Sequence, residues 1–412
     1  MTLQKRYRVI KFFIGFLSAF VLTPCSAEKN PDTLEKTLPT QYIIAQGDTL
    51  WGAFKKLNLP NHVWATILTN NPQIKDLNKV HPGDIIYLTQ KRHKTTLKNT
   101  NPAPPSLTAK INAFIDNMVT EHAFNRTALE VLFQTVAIKA PILKAISKPA
   151  EKRLVWHQYK EIFLTPKRIQ QGVSFWEKHE SELSRVEQKY GVSAKIIVAI
   201  IGVETFYGKI TGEHRVIDAL ATIAFGYPKR EKFFTNELQQ FLILCRDEAI
   251  DPLIPTGSYA GAMGIPQFMP SSFISYAADF DGDNKRNIWS NYGDVFASIA
   301  NYFIRHHWQS DQPVAFKIQY KTNAFNRALS KGLRPDTTVA ALKDMNLHLA
   351  FPEQLNFTDR VKLLRFQQKE TIDLWLGLQN FYAITRYNHS PLYAMAVFQL
   401  SEAINTLKTP HD

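Results

Sequence analysis

One carboxylate, Glu204, closes the most apolar soluble stretch of the chain, residues 196–208, IIVAIIGVETFYG. Ser193 can cap a helix that starts at Ala194. On that helix Glu204 shares a face with Ile197, Ile200 and Ile201. A helix that is apolar nearly all round is the buried axis of a domain. Gly208 and Gly212 end it soon afterwards, so Glu204 falls in the last turn, at the negative end of the helix dipole. Desolvation and dipole both disfavour the carboxylate anion. Each unit of upward pKa shift corresponds to about 1.4 kcal/mol. A glutamic acid raised toward about 6–7 is a competent general acid near neutral pH. A glutamate buried for purely structural hydrogen bonding gives the same pattern, and burial alone leaves both readings open.

Two further stretches carry residue types with chemical uses. Residues 257–273, GSYAGAMGIPQFMPSSF, pack Gly257, Ala260, Gly261, Ala262 and Gly264 closely together. Small residues let backbone approach a ligand, Ser258 and Gln267 offer polar contacts, and Phe268 and Met269 an apolar wall. A tight turn between helices accounts for the same composition. Residues 279–294, DFDGDNKRNIWSNYGD, place Asp279, Asp281 and Asp283 at alternate positions. That is the spacing at which a calcium-binding loop converges its first, third and fifth oxygen donors. Asn284 takes the sixth position, where it tolerates a left-handed backbone. Lys285 would contribute its carbonyl oxygen, and Ser290 occupies the twelfth position instead of Glu. A solvated acidic turn before the next helix is the alternative. His306 and His307 are adjacent, without metal-ligand spacing, and read as helix-end or surface groups.

These residues need a scaffold, and 412 residues suffice for two or three domains with a large core. The net charge of +13 favours an acidic partner such as an anionic polymer. No Lys/Arg-rich block with interleaved aromatics is present, so nucleic acid is not the expected partner. The first eleven residues are basic and acid-free, and residues 12–22, FFIGFLSAFVL, are apolar. A helix of that length reaches roughly 16 Å, about half a bilayer core. The segment therefore reads as a signal peptide over residues 1–27, cleaved after Ala27, and the mature chain as exported to the periplasm. A lipoprotein signal ending at Cys25 is the less favoured alternative and would tie the chain to the outer membrane. Cleavage after Ala27 leaves Cys245 as the sole cysteine and no internal disulfide.

Residues 41–88 read as strand, helix, helix, strand. The motifs GDTLW (47–51), Asn71-Pro72 and PGD (82–84) resemble those of a LysM domain in order and spacing. That resemblance implies binding to glycans containing N-acetylglucosamine, such as peptidoglycan or chitin. Residues 89–106 are basic, then proline-rich, and read as a linker. Tethering a small module this way raises local concentration at a polymer surface. From residue 107 to 406 apolar residues recur at helical steps. Strand-like alternation is scarce, apart from residues 314–320 and a partner near LHLAF (347–351).

Six ordered motifs in residues 109–405 resemble the lytic murein transglycosylase B family: IIGVETFYG, VIDALATIAFGYP, GSYAGAMGIPQFMPSS, DFDGD, IANYF and YNHSPLYAMAV. The resemblance implies a mainly α, lysozyme-like helical catalytic domain with minor β. It implies non-hydrolytic cleavage of the N-acetylmuramic acid–N-acetylglucosamine bond of peptidoglycan, leaving a 1,6-anhydro-muramoyl end. Glu204 takes the catalytic place. Ser258 and Gln267 match substrate contacts around the scissile bond, with Phe268 as the apolar wall beside them, and Tyr159, Tyr302, Tyr387, Asn388 and Tyr393 match groove-lining positions. Lys229 and Arg230 match a basic pair suited to stem-peptide carboxylates, with Lys where Arg is more usual. Pro266 stands where a small residue is common. The family's later closing acid points to Asp294 in the acidic loop, whose calcium would be structural. Catalysis needs no cofactor, the partner is the glycan strand, and the protein is expected to act as a monomer. A hydrolytic muramidase and a non-enzymatic glycan-binding scaffold are the competing functions.

Overall fold

The computed structural model describes residues 41–45, 53, 56–57, 67, 71, 74, 80–88, 106–147 and 154–409. The signal-peptide segment, the GDTLW motif and nearly all of the linker lie outside these residues. The chain divides into two compact units, one holding Pro105–Asp412 and the other lying within Ala19–Pro104.

In the smaller unit β1 (Gln41–Ile43) pairs antiparallel with β2 (Ile85–Tyr87). Ile44, Ala53, Ile67, Ile86 and Leu88 form its small apolar core. Asn71 braces the second strand from its side chain: Nδ2 donates to Tyr87 O at 2.8 Å, and Oδ1 accepts the Tyr87 N–H at 2.8 Å.

The larger unit begins with helices α1 (Leu107–His122), α2 (Arg126–Thr135), α3 (Ala140–Ser147), α4 (Trp156–Phe163), α5 (Pro166–Lys178), α6 (Glu180–Tyr190) and α7 (Ala194–Thr205). Then come β3 (His214–Arg215), α8 (Val216–Gly226), α9 (Glu231–Asp247), β4 (Thr256–Gly257), α10 (Pro270–Tyr276) and α11 (Tyr292–Arg305). After the sheet segment the chain returns to helix in α13 (Gln379–Tyr387) and α14 (Pro391–Lys408). The expected apolar axis is α7. Every residue of it except Lys195 is buried, and it packs against α14, α5, α6 and α11. Each large aliphatic side chain removed from water contributes about 1.5–3 kcal/mol, so this helix anchors the domain. Ser193 makes no side-chain capping bond. The helix starts without one because its packing, not its cap, holds it.

The sheet is larger than alternation in the sequence implies. Its strands are β5 (Ala315–Tyr320), β6 (Thr337–Thr338), β7 (Leu349–Ala350), β8 (Arg360–Gln367) and β9 (Ile372–Gly377), in the order β6-β8-β9-β5-β7. The expected strand at 314–320 and its partner near LHLAF pair as Gln319–Ala350 and Tyr320–Leu349. A short helix, α12 (Val339–Asp344), follows β6. Phe325, Val339, Leu342, Leu363, Leu374 and Leu376 are among the residues of a separate core on this sheet.

Candidate active site

Glu204 is 1% exposed in the last turn of α7. The helix ends abruptly because Phe206 and Tyr207 both adopt left-handed φ, 52° and 61°. Each such non-glycine residue costs roughly 1–2 kcal/mol, and local bonds offset the strain. Thr205 Oγ1 donates to Ile265 O at 3.1 Å and accepts the Gly208 N–H at 3.0 Å. Tyr207 OH donates to Arg168 O at 2.8 Å, tying the turn to α5. A side chain at Gly202 would collide with the Tyr207 ring, so the chain folds back against its own helix there.

The Glu204 carboxyl meets α14. Tyr393 OH donates to Oε1 at 2.6 Å, and both residues are buried. Burial first, and then the Glu204 carboxylate, hold the Tyr393 hydroxyl well above the usual phenol range, with smaller contributions from Tyr387 and Tyr159. Tyr387 lies parallel to Tyr393, ring centroids 6.5 Å apart and planes 10° apart. Burial, Glu204 and Tyr302 raise its hydroxyl in the same way. The aromatic set continues from Tyr387 to Tyr302 at 4.8 Å and to Phe268 at 5.9 Å. Tyr159, 2% exposed, packs its ring 5.2 Å from Phe163. Asn388 is buried at the end of α13.

The small-residue stretch is a built loop. Met263 and Phe268 exchange backbone hydrogen bonds at 2.8 and 3.0 Å around a tight turn. Gln267, at φ 54°, donates from Nε2 to Thr211 O at 2.9 Å and Gly264 O at 2.8 Å. Its side-chain amide is therefore held by two backbone carbonyls at the edge of a cavity. Ser258 Oγ accepts the Ala262 N–H at 3.0 Å and the Ala260 N–H at 3.3 Å, closing its own turn. Ser258, Tyr259 and Gln267 line one cavity of about 100 Å³ with Gly212. The Pro266 carbonyl accepts the Tyr387 hydroxyl at 2.6 Å, so the loop and the aromatic set form one structure.

Lys229 and Arg230 occupy a 3₁₀ turn, Pro228–Arg230. Lys229 is exposed. The Arg230 guanidinium lies 4.6 Å from the Phe233 ring centre and 5.1 Å from that of Phe234. Burial lowers its pKa, with Tyr227 and Glu237 opposing. Glu237 escaped the sequence reading. It is 2% exposed and accepts the Ser271 N–H at 2.9 Å and the Ser271 hydroxyl at 2.7 Å. Burial raises its carboxyl above the ordinary range despite those bonds. A signal was present: Glu237 lies three residues after Phe234 and four before Phe241, on the buried face of α9. Glu237, Ser271, Tyr302, His306 and Arg386 line a second cavity of about 220 Å³. His306 is a helix-end residue as expected, and it also stacks on Tyr302 at 4.2 Å and 17°.

In the acidic loop, oxygen atoms of Asp279, Asp281 and Asp294 lie within 4.8 Å of one another. Asp294 is fully buried. Burial raises its carboxyl, backbone bonds from Phe280 and Asn287 oppose this, and the charges of Asp281 and Asp279 reinforce it. Three converging carboxylates with this like-charge repulsion form an all-oxygen donor set that fits a hard cation such as calcium. Asp283 is outside the group, and its Oδ1 accepts the Lys285 N–H at 2.8 Å. Asn284 takes the expected left-handed φ, 65°.

The site is a buried acid set against packed aromatic rings in a helical domain. The chain belongs to the transglycosylase SLT domain family, which it matches over residues 106–402. It is 41% identical over 301 residues to membrane-bound lytic murein transglycosylase B of Escherichia coli (strain K12), covering 71% of this chain and 81% of that one. It resembles the soluble lytic transglycosylase SltB1 from Pseudomonas aeruginosa at a TM-score of 0.69 and 45% identity, covering 73% of this chain and 99% of that one. Escherichia coli Slt35, solved in complex with calcium, matches at a TM-score of 0.66 and 40% identity, over 73% of this chain and 93% of that one.

Proposed function

We propose that the protein is a peptidoglycan lytic transglycosylase that cleaves the β-1,4 bond between N-acetylmuramic acid and N-acetylglucosamine without water. The observation that carries this is the buried Glu204, held by a tyrosine hydroxyl. Protonated Glu204 gives its proton to the glycosidic oxygen as the C1–O bond breaks. The substrate's own N-acetyl oxygen stabilises the cationic C1. Ionised Glu204 then takes the proton of the muramoyl 6-hydroxyl, whose oxygen bonds to C1. The products are a 1,6-anhydro end and a free 4-hydroxyl, and Glu204 is protonated again. Tyr393 orients the carboxyl, Tyr387 backs Tyr393 and ties it to the Pro266 carbonyl, Gln267 and Ser258 border the reacting sugars, and the buried rings of Tyr302 and Phe268 support that wall from behind. Tyr159 and Asn388 complete the groove, while Lys229 and Arg230 serve stem-peptide carboxylates.

Hydrolytic glycosidases need a second carboxylate to activate water or attack carbon. The other buried acids of the described residues are engaged elsewhere. Asp218 pairs with Arg215, Glu237 with Ser271, and Asp294 with the acidic loop. Among the described residues this leaves no second buried carboxylate for a muramidase, and the exposed Glu213, which lines the cavity with Ser258 and Gln267, is the acid whose change to Gln should leave anhydro-product release intact in the one-acid scheme. Mass spectrometry of digested wall tests it: anhydro ends are expected, and reducing muramoyl ends alone would refute it. Glu204→Gln should lower activity at least a hundredfold, the lower bound for losing a general acid, with the fold retained.

The segment 41–88 acts as a LysM-like glycan anchor. Its paired strands, helical residues at Ala53 and Ile67, and the Asn71 brace support that reading. Asp279, Asp281 and Asp294 hold a structural calcium; it has no part in the chemistry. The chain works in the periplasm, and no helix among the described residues is long and apolar enough to cross a membrane.

A further inference from the structure

A cavity of about 770 Å³ is not lined by Glu204. It lies where the loops around β8 meet the start of α13. Its lining carries Arg334 and Arg360, the amides of Gln354, Asn356 and Gln379, and the ring of Tyr382. Its one acid, Asp359, accepts the Asn356 N–H at 2.8 Å. Both arginines are exposed. Among the described residues neither is in an ion pair, and Arg360 donates only to the Pro335 carbonyl, at 3.3 Å.

The cavity neighbours the smaller one beside Tyr302. His306 and Arg386 line the smaller cavity beside Tyr302. The next residue, His307, and Tyr382, one turn earlier on α13, line the larger one. One helical turn is about 5.4 Å, and the Arg386 guanidinium lies 5.9 Å from the Tyr382 ring centre. Arg386, which lines the smaller cavity, thus packs against Tyr382, which lines the larger one. Amides that donate and accept suit sugar hydroxyl and acetamido groups. Exposed arginines suit planar carboxylates.

We propose that this cavity docks a distal unit of the glycan strand, with Arg334 and Arg360 taking the carboxylates of its stem peptide. The proposal rests on the peptidoglycan reading above. The effect is to favour long, peptide-bearing strands over short or denuded ones.

The test uses the full chain carrying Glu204→Gln, so that strands persist, and measures Kd by fluorescence anisotropy. Adding Arg334→Ala and Arg360→Ala should weaken binding of long peptide-bearing strands by about fivefold to tenfold, the scale of exposed charge pairs. Charge reversal to Glu at both positions should weaken it further. Strands stripped of stem peptides by an amidase should show a much smaller change. Equal Kd values for parent and double variant on peptide-bearing strands overturn the proposal, as does an equal loss on denuded strands. Failure of the active parent to release anhydro ends strikes the enzymatic reading instead, and leaves the binding comparison readable.

Discussion

Replacing Tyr393 by Phe removes one oxygen from the centre of the site and keeps the ring that faces Tyr387. The lost hydroxyl stands 2.6 Å from Glu204 Oε1, with both side chains buried. A hydrogen bond donated to a charged group contributes about 1.5–3 kcal/mol. It favours the carboxylate over the acid, because the anion is the stronger acceptor. Its removal shifts Glu204 toward the protonated form by that amount, a tenfold to hundredfold change at about 1.4 kcal/mol per factor of ten. Cleavage starts from the protonated acid, so the alkaline limb of the kcat–pH profile should move up by about one to two pH units. The maximal rate should fall as well, because the carboxyl loses its orienting partner. Anhydro-product release from purified wall, followed by chromatography at each pH, reads both effects. An alkaline limb that stays in place, or moves down, refutes the assignment of Tyr393 as donor to an ionising Glu204.

Gly212 sits at φ 102°, and a Cβ there would overlap the Gly257 carbonyl beside Ser258. Gly212→Ala should cost on the order of 1–3 kcal/mol, lowering Tm by several degrees; an unchanged Tm would count against the close approach. Calcium added to chelator-treated protein should raise Tm, with about 2.7 kcal/mol available at a hundred times Kd. Asp294→Asn should abolish that response, and no response in the parent would remove the cation from the loop. His179 and His306 are both held below their ordinary 6.5, chiefly by burial. Below 6.5 the unfolded chain therefore binds more protons than the native one, so stability is lost as pH falls from 6.5 toward the native values. Urea unfolding between about pH 7.5 and 5.5 should show this slope, and His306→Gln should flatten it.

The elements most legible in the sequence are those whose periodicity matches one solvent-facing side or none. The all-apolar run became the central helix α7, and the alternation at 314–320 became β5. Strands β8 and β9 were not legible. Val361, Lys362, Leu363 and Leu364 are buried in succession, so RVKLLRFQ lacks the alternation of a half-exposed strand. Lys362 completes the disguise: it is 2% exposed and is neutralised by Asp336 at 2.7 Å. In the site, Glu204, Ser258 and Gln267 could be named by type. Their roles could not, because those depend on partners far along the chain. Tyr393 lies 189 residues from the carboxyl it binds, and no local pattern encodes that contact. The acidic loop shows the converse limit. Alternate spacing put Asp283 in the donor set, whereas the turn at Gly282 and Asn284 directs it to the Lys285 N–H and leaves Asp294, on α11, to close the group.

The choice of partner for Glu204 follows from the two jobs the residue does. A general acid that must also act as a base has to pass between neutral and ionised forms at little cost. An arginine or lysine at hydrogen-bond distance would hold the carboxylate ionised and remove the proton the first step needs. Full burial without a donor would hold it neutral and weaken the base. A phenol supplies a hydrogen bond without a positive charge, and the Tyr393 hydroxyl sits at that point. Position is then set by backbone rather than by charge: the left-handed pair Phe206–Tyr207 ends α7 at the carboxylate-bearing turn, and Thr205 bonds that turn to the Ile265 carbonyl. The same loop receives the Tyr387 hydroxyl at Pro266, so the groove wall and the acid are registered on one another. Loosening the loop should therefore impair the chemistry even where no residue touching the substrate has changed.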